Sequence, residues 1–398
     1  MISKLMKDKL SVNGGIRAAF NEAQRQYGIY GKENVFDLSI GNPGAPVPEK
    51  VIETLQNLAA DTKLQHSYMC EAGYEETRKI VADSLNREHG TAYEFNHIIM
   101  SNGVAGGINC TLCALLDPED EVIVFRPYYP AYVGFAENWG GKIITVSPDE
   151  RDFSPNLEEF EQKISPKTKV VIINSPHNPS GTIYTKETAK RMTDILHRKQ
   201  QEYGHEIYLL SDEPYRDLVY DDTILPWWPE EYENTIVIYS FSKSLSLAGE
   251  RIGYVLVPPE VSESELVIRA IRLAMGKIGF VNAPAYFQKV IAACIDEKVN
   301  LEYYDRNRQL LYGNLKRLGF EAVEPKGAFY IFVKSPLEKE EDFIEAARKR
   351  HLIVVGGSSF GWSGYVRLSF CCEYEVLERA IPALEKLAED CGLTENNS

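Results

Sequence analysis

The chain has 398 residues, 44% of them hydrophobic, with 58 acidic against 43 basic side chains and a formal net charge of −15. That length can bury a large core and leads us to expect two domains, while the acidic balance argues against nucleic acid or an anionic membrane as partner. Seven cysteines without a disulfide-like pattern, no apolar run near the ~18 residues of a membrane span, and a start lacking the apolar core of a secretion signal together predict a cytoplasmic location.

In chain order, an amphipathic helix is expected over about Gly15 to Tyr27, a Gly- and Pro-rich loop over Gly41 to Pro48, and a helix near Glu49 to Ala59. Strands then alternate with helices: His97 to Ser101, Glu121 to Phe125, Lys142 to Val146, Lys169 to Asn174, Glu206 to Ser211, Thr235 to Ser240, and Gly253 to Val257. A helix is expected from Ala105 to Leu116, and one long helical stretch from Ala283 to Leu318. Short strands follow at Ala328 to Val333, Leu352 to Val355 and Tyr365 to Phe370. The alternation predicts an α/β fold: a mostly parallel, mixed central sheet with helices on both faces, plus a smaller α/β domain.

The chemistry gathers at predicted strand ends. Lys243 lies just past the apolar run Thr235 to Tyr239, beside Ser240 and Ser242, with Arg251 and Gly253 downstream. A lysine there suits Schiff-base formation, because a dry pocket or a neighbouring cation makes its amine nucleophilic. Arg251 can supply that cation or grip a phosphate, and the two serines can bond the same phosphate. Asp212 and Glu213 end another apolar strand, where a carboxylate can pair with a protonated ring nitrogen. Asn178 sits in a turn forced by Pro176, Pro179 and Gly181 at the end of a third. In open α/β sheets that edge is where ligands bind. The set fits pyridoxal phosphate, a carbonyl cofactor with a phosphate handle.

With these motifs in this order, the chain resembles a fold-type I pyridoxal phosphate enzyme, specifically a class I/II aminotransferase of the aspartate aminotransferase superfamily, from about Ile16 to about Ala388. The resemblance implies that Lys243 holds the cofactor and shuttles the α-proton, and that Asp212 pairs with the pyridinium. It implies that Asn178 and Tyr215 bond the ring's phenolic oxygen, that Ser240 and Arg251 hold the phosphate, and that Tyr129 stacks on the ring. The turn with Gly103, Val104 and Ala105 would present backbone N–H groups to the phosphate at a helix start. Arg367 would clamp the substrate α-carboxylate, and Gly41 would let backbone approach the substrate. Tyr68 would reach the phosphate of the other subunit, which implies a homodimer with shared sites. The resemblance also pairs residues 1–47 with 301–398 as a discontinuous small domain beside a cofactor domain of 48–300.

An amino acid and a 2-oxo acid are thus the expected small-molecule partners, aspartate or a similar dicarboxylate with 2-oxoglutarate being favoured, and ping-pong kinetics are expected. Dicarboxylate specificity needs a second cation, which in aspartate aminotransferases comes as an arginine from the partner subunit. Arg17, Arg272 and Lys277 are candidates here. Alanine, methionine or aromatic substrates stay open, as does a C–S β-lyase on the same fold, which would keep Lys243, Asp212 and Arg367. A nicotinamide dehydrogenase would need a Gly-x-Gly-x-x-Gly turn that Gly103 to Gly107 does not provide. Cys110 with Cys113, and Cys371 with Cys372, are read as packing residues, and no metal-ligand spacing is present.

Overall fold

Seven strands form the central sheet of the computed structural model, which describes residues 2–10, 14–64 and 66–393. Their order is Ile98–Ser101, Gly253–Leu256, Thr235–Ser240, Tyr208–Asp212, Thr168–Asn174, Glu121–Phe125 and Lys142–Val146. Gly253–Leu256 runs antiparallel to both its neighbours, and the other pairings are parallel. Tyr208–Asp212 and Thr235–Ser240 are buried along their whole length, with apolar Leu in the first and Ile and Val in the second, as a sheet covered on both faces requires. Asn174, Asp212 and Ser240 are the last residues of three adjacent strands, and Asn174 stands opposite Asp212 in register. The sheet thus delivers three polar side chains to one edge.

Helix Gly103–Leu115 packs on this sheet closely enough that a Cβ on Gly107 would lie 2.7 Å from the Ile238 side chain and 3.1 Å from that of Val255. Its first turn therefore sits over the strand ends. Gly103 opens it at φ +67°, a conformation only glycine adopts cheaply.

A second, three-stranded antiparallel sheet joins Val355–Gly356, Tyr365–Ser369 and Tyr330–Lys334, and Phe36–Asp37 pairs in parallel with Leu352–Ile353. Leu38 and Ala45 pack in one cluster with Tyr304, Phe329, Phe370 and Leu384, so the segment before the sheet and the C-terminal part share a core. Among the described residues no helix is long and apolar enough to cross a membrane.

Two sequence expectations are corrected. The long helix from Ala283 to Leu318 is two helices, Ala285–Cys294 and Leu301–Arg317. Polar residues interrupt it, and the Asn300 side chain caps the second piece by accepting from the Tyr303 N–H at 3.0 Å. The strand from Leu352 to Val355 is likewise split between two sheets, with Val354 as the hinge between them.

Candidate active site

Lys243 lies on the one-turn helix Phe241–Ser244, started by Ser240, whose side chain accepts from the Ser242 N–H. Its Nζ donates to the Gly41 carbonyl at 2.7 Å and stands 5.3 Å from the centre of the Phe329 ring. Burial brings the ammonium down to about 8, and Arg251 and Arg367 push the same way. The cation expected from the sequence does contribute, but desolvation is the larger cause.

Asp212 is buried at 3% exposure. Its Oδ2 accepts from the Tyr132 hydroxyl, while Oδ1 is buried with no partner among the described residues. Burial raises this carboxyl to about 7, against the opposing bond from Tyr132. Asn174 supports it from behind, donating Nδ2 to the Asp212 carbonyl at 2.8 Å and accepting the Asn178 N–H on Oδ1 at 2.8 Å.

Arg367, 2% exposed, donates Nη1 to Asn178 Oδ1 at 2.9 Å and Nη2 to the Ser39 carbonyl, leaving Nε buried and unpartnered. Its guanidinium lies 4.4 Å from the Tyr330 ring centre and 4.8 Å from that of Phe360, which fixes its plane. Next along the chain, the Cys371 thiol reaches the Asn42 carbonyl at 2.9 Å and the Ile40 carbonyl at 3.4 Å. Four consecutive carbonyls, from Ser39 to Asn42, are thus held by Arg367, Cys371 and Lys243. Cys371 does more than the packing expected of it.

Opposite lie the hydroxyls and Arg251. Ser240 Oγ and Ser242 Oγ are 2.7 Å apart, and Arg251 donates to the Ala248 carbonyl at 2.8 Å. A Cβ on Gly103 would sit 2.7 Å from the Arg251 guanidinium, so the glycine keeps open the space that Arg251 uses. Tyr215 and Tyr330 hydroxyls are 3.0 Å apart, and a Cβ on Gly41 would fall 1.8 Å from the Tyr330 hydroxyl. Tyr129 is half-buried, edge-on to Tyr132 with ring centres 5.6 Å apart.

One cavity of about 290 Å³ is lined by Gly41, Val104, Ala105, Tyr129, Asn178, Asp212, Tyr215, Ser240, Lys243, Arg251 and Arg367. Gly103 does not line it but borders Arg251, which does. Tyr68 is 94% exposed and does not line this cavity. Arg272 is tied to Glu71 at 2.8 Å, Lys277 lies over the Trp139 ring, and Arg17 lines a second, adjoining cavity. His177 bonds Ser180 at 2.6 Å and is structural. Sequence reasoning gave no role to Tyr132, Asn174 and Tyr330; Tyr132 lies on the short helix Ala131–Glu137, which starts after Tyr129, and no spacing marked it.

The residues fit pyridoxal phosphate: a half-satisfied buried carboxylate for a ring cation, an amine near neutrality for an aldehyde, and an arginine, two hydroxyls and a helix start for a phosphate. The sequence profile of the family "Aminotransferase class I and II" matches residues 33–384. The chain is 32% identical over 393 residues to an aspartate aminotransferase of Pyrococcus horikoshii, covering 94% of each chain. It is 30% identical over 387 residues to aromatic-amino-acid aminotransferase 2 of Thermococcus litoralis, covering 94% of this chain and 95% of that one. A crystal structure of an amino transferase from Eubacterium rectale superposes with a TM-score of 0.94 at 39% identity, over 98% of this chain and 99% of that one.

The fold and the family profile define a fold-type I, pyridoxal phosphate-dependent transferase. The chain belongs to the class I and II aminotransferases and is an aminotransferase acting on amino and 2-oxo acids.

Proposed function

We propose that this aminotransferase moves the amino group of L-aspartate or a similar dicarboxylic amino acid to 2-oxoglutarate, in the cavity between Lys243, Asp212 and Arg367. The observation that carries the site is the meeting of a lysine amine brought down to about 8 with a buried carboxyl raised to about 7. Pyridoxal phosphate, when bound, supplies an aldehyde for the amino group and a ring that withdraws electrons from the α-carbon.

Asp212 Oδ1, buried without a described partner, would pair with the ring cation, while Tyr132 and Asn174 hold the residue in place. Asn178 and Tyr215 are the partners of the phenolic oxygen. Ser240, Arg251 and the N–H groups of Gly103, Val104 and Ala105 would hold the phosphate, and Tyr129 would stack on the ring. Arg367 takes the substrate α-carboxylate, for which Asn178 orients it. Lys243 Nζ would hold the cofactor's aldehyde carbon until an amino acid takes its place, and the freed amine would then remove the α-proton as general base. Gly41, between Ser39 and Asn42, keeps the substrate side of the cavity open. One site serving two half-reactions gives ping-pong kinetics.

Residues 48–300 form the cofactor domain, and 1–47 with 301–398 the smaller one. Two subunits assemble in the cytoplasm, and Tyr68, whose ring is exposed in the single chain, completes the phosphate site of the other subunit.

The test is a half-reaction screen. Cofactor-loaded protein is mixed with single amino acids, without acceptor, and its absorbance followed. Stoichiometric conversion to the amine form of the cofactor with aspartate, faster than with alanine, methionine or tyrosine, supports the reading. Turnover of cysteine to pyruvate, ammonia and sulfide, with no conversion by aspartate, would count against the dicarboxylate reading.

A further inference from the structure

We propose that Arg17 reads the side-chain carboxylate of the dicarboxylic substrate from the cavity beside the reaction site. The inference rests on the dicarboxylate reading above.

The cations lining the reaction cavity are Lys243, Arg251 and Arg367, and each is already engaged in the functions described. A second substrate carboxylate would find no further cation there. The adjoining cavity, of about 1370 Å³, shares Ile16 and Tyr129 with the first, so the two meet at these side chains. Arg17 follows Ile16 on helix Gly15–Tyr30 and lines the larger space.

Arg17 is exposed and makes no hydrogen bond or ion pair with a described residue. The other basic candidates are committed. Arg348, the second guanidinium of that cavity, is held by Glu345 at 2.6 Å and approaches Glu22 at 3.5 Å. Arg272 is bound to Glu71, and Lys277 covers an indole. Of the cavity's carboxylates, Glu22 is held by Arg25 at 2.6 Å, and Glu340 accepts the N–H groups of Ser358 and Gly364. The exposed Glu341 is the remaining competitor for Arg17. Arg17, without a partner among the described residues, lines the space that meets the reaction cavity at Ile16 and Tyr129, and the fork geometry of arginine suits a carboxylate entering it.

Single-turnover half-reactions of wild type, Arg17→Gln and Arg17→Lys are compared with aspartate and with alanine, without acceptor. Succinate and propionate binding to the loaded protein is titrated in parallel. Arg17→Gln is expected to lower the efficiency with aspartate and the affinity for succinate about 100-fold, with alanine and propionate changed less than about 3-fold, and Arg17→Lys to fall between. Equal losses with both donors, or no loss with aspartate, overturn the assignment. If the wild type itself does not prefer aspartate and succinate, the dicarboxylate reading falls and takes this role with it. If it does and the variants keep that preference, only Arg17 is wrong.

Discussion

Around Lys243 the walls are ends of buried strands and helices packed on them, whereas the larger cavity next to it is closed on one side by helix Gly15–Tyr30, of which only Ala19, Ala23 and Gln26 are buried. Side chains in the first region are tied to neighbouring backbone and to each other: Asn174 to the Asp212 carbonyl and the Asn178 N–H, Arg367 to the Asn178 side chain and the Ser39 carbonyl. In the second, Arg17 is free of described partners. The contrast separates two tasks. Proton transfer needs groups fixed to a fraction of an ångström, and the sheet edge provides that. Selection among side chains needs room and a surface that can change without disturbing the chemistry.

Breaking the rigid region should cost most. Lys243→Ala is expected to abolish transamination, a loss of at least about 10⁴-fold, together with the visible absorbance of the bound cofactor. A variant keeping both would remove the lysine from the mechanism. Asp212→Asn should lower kcat about 100-fold through loss of the charge opposite the ring. It carries a pH signature as well. Because the folded carboxyl is raised from 3.8 to about 7, its contribution to the stability of cofactor-free protein is full below about pH 4 and is lost as pH rises through 7. Denaturant melts of wild type and Asp212→Asn should therefore diverge in slope across that window, and parallel curves would refute the shift.

Arg367→Ala should reduce kcat/KM for every amino acid by about 100-fold while the cofactor stays bound, which a spectral titration reads directly. Loss of the cofactor as the main effect would place Arg367 elsewhere in the mechanism. The smallest effect belongs to the carbonyl strip. Cys371→Ala frees the Asn42 carbonyl and should lower kcat about 3- to 10-fold, with Cys371→Ser recovering part of it. No difference between the two variants would return Cys371 to a packing role.

Much of the rigid region was legible in the sequence because its residues announce themselves by position. Asp212 ends an apolar strand and Lys243 follows another directly, and no core needs a charge there. The supports were not legible. Tyr132 and Tyr330 are two tyrosines among 23, and aromatic residues serve cores as readily as sites. The grip on residues 39 to 42 runs through backbone carbonyls, which carry no residue identity. In the fold, the strands of the large sheet were readable from their short apolar runs. The break between Cys294 and Leu301 was not, because the capping role of Asn300 shows only once the second helix is in place. The second cavity was least legible, since it exists only between segments some 300 residues apart, such as Arg17 and Arg348.

The central claim is that Lys243 is the residue to which the cofactor is attached. Protein loaded with pyridoxal phosphate is reduced with borohydride, digested, and mapped by mass spectrometry. The account predicts one phosphopyridoxyl group, on the peptide containing Lys243 and at that residue. A stoichiometric label on another lysine, or none on protein that carries the cofactor's absorbance, would contradict it.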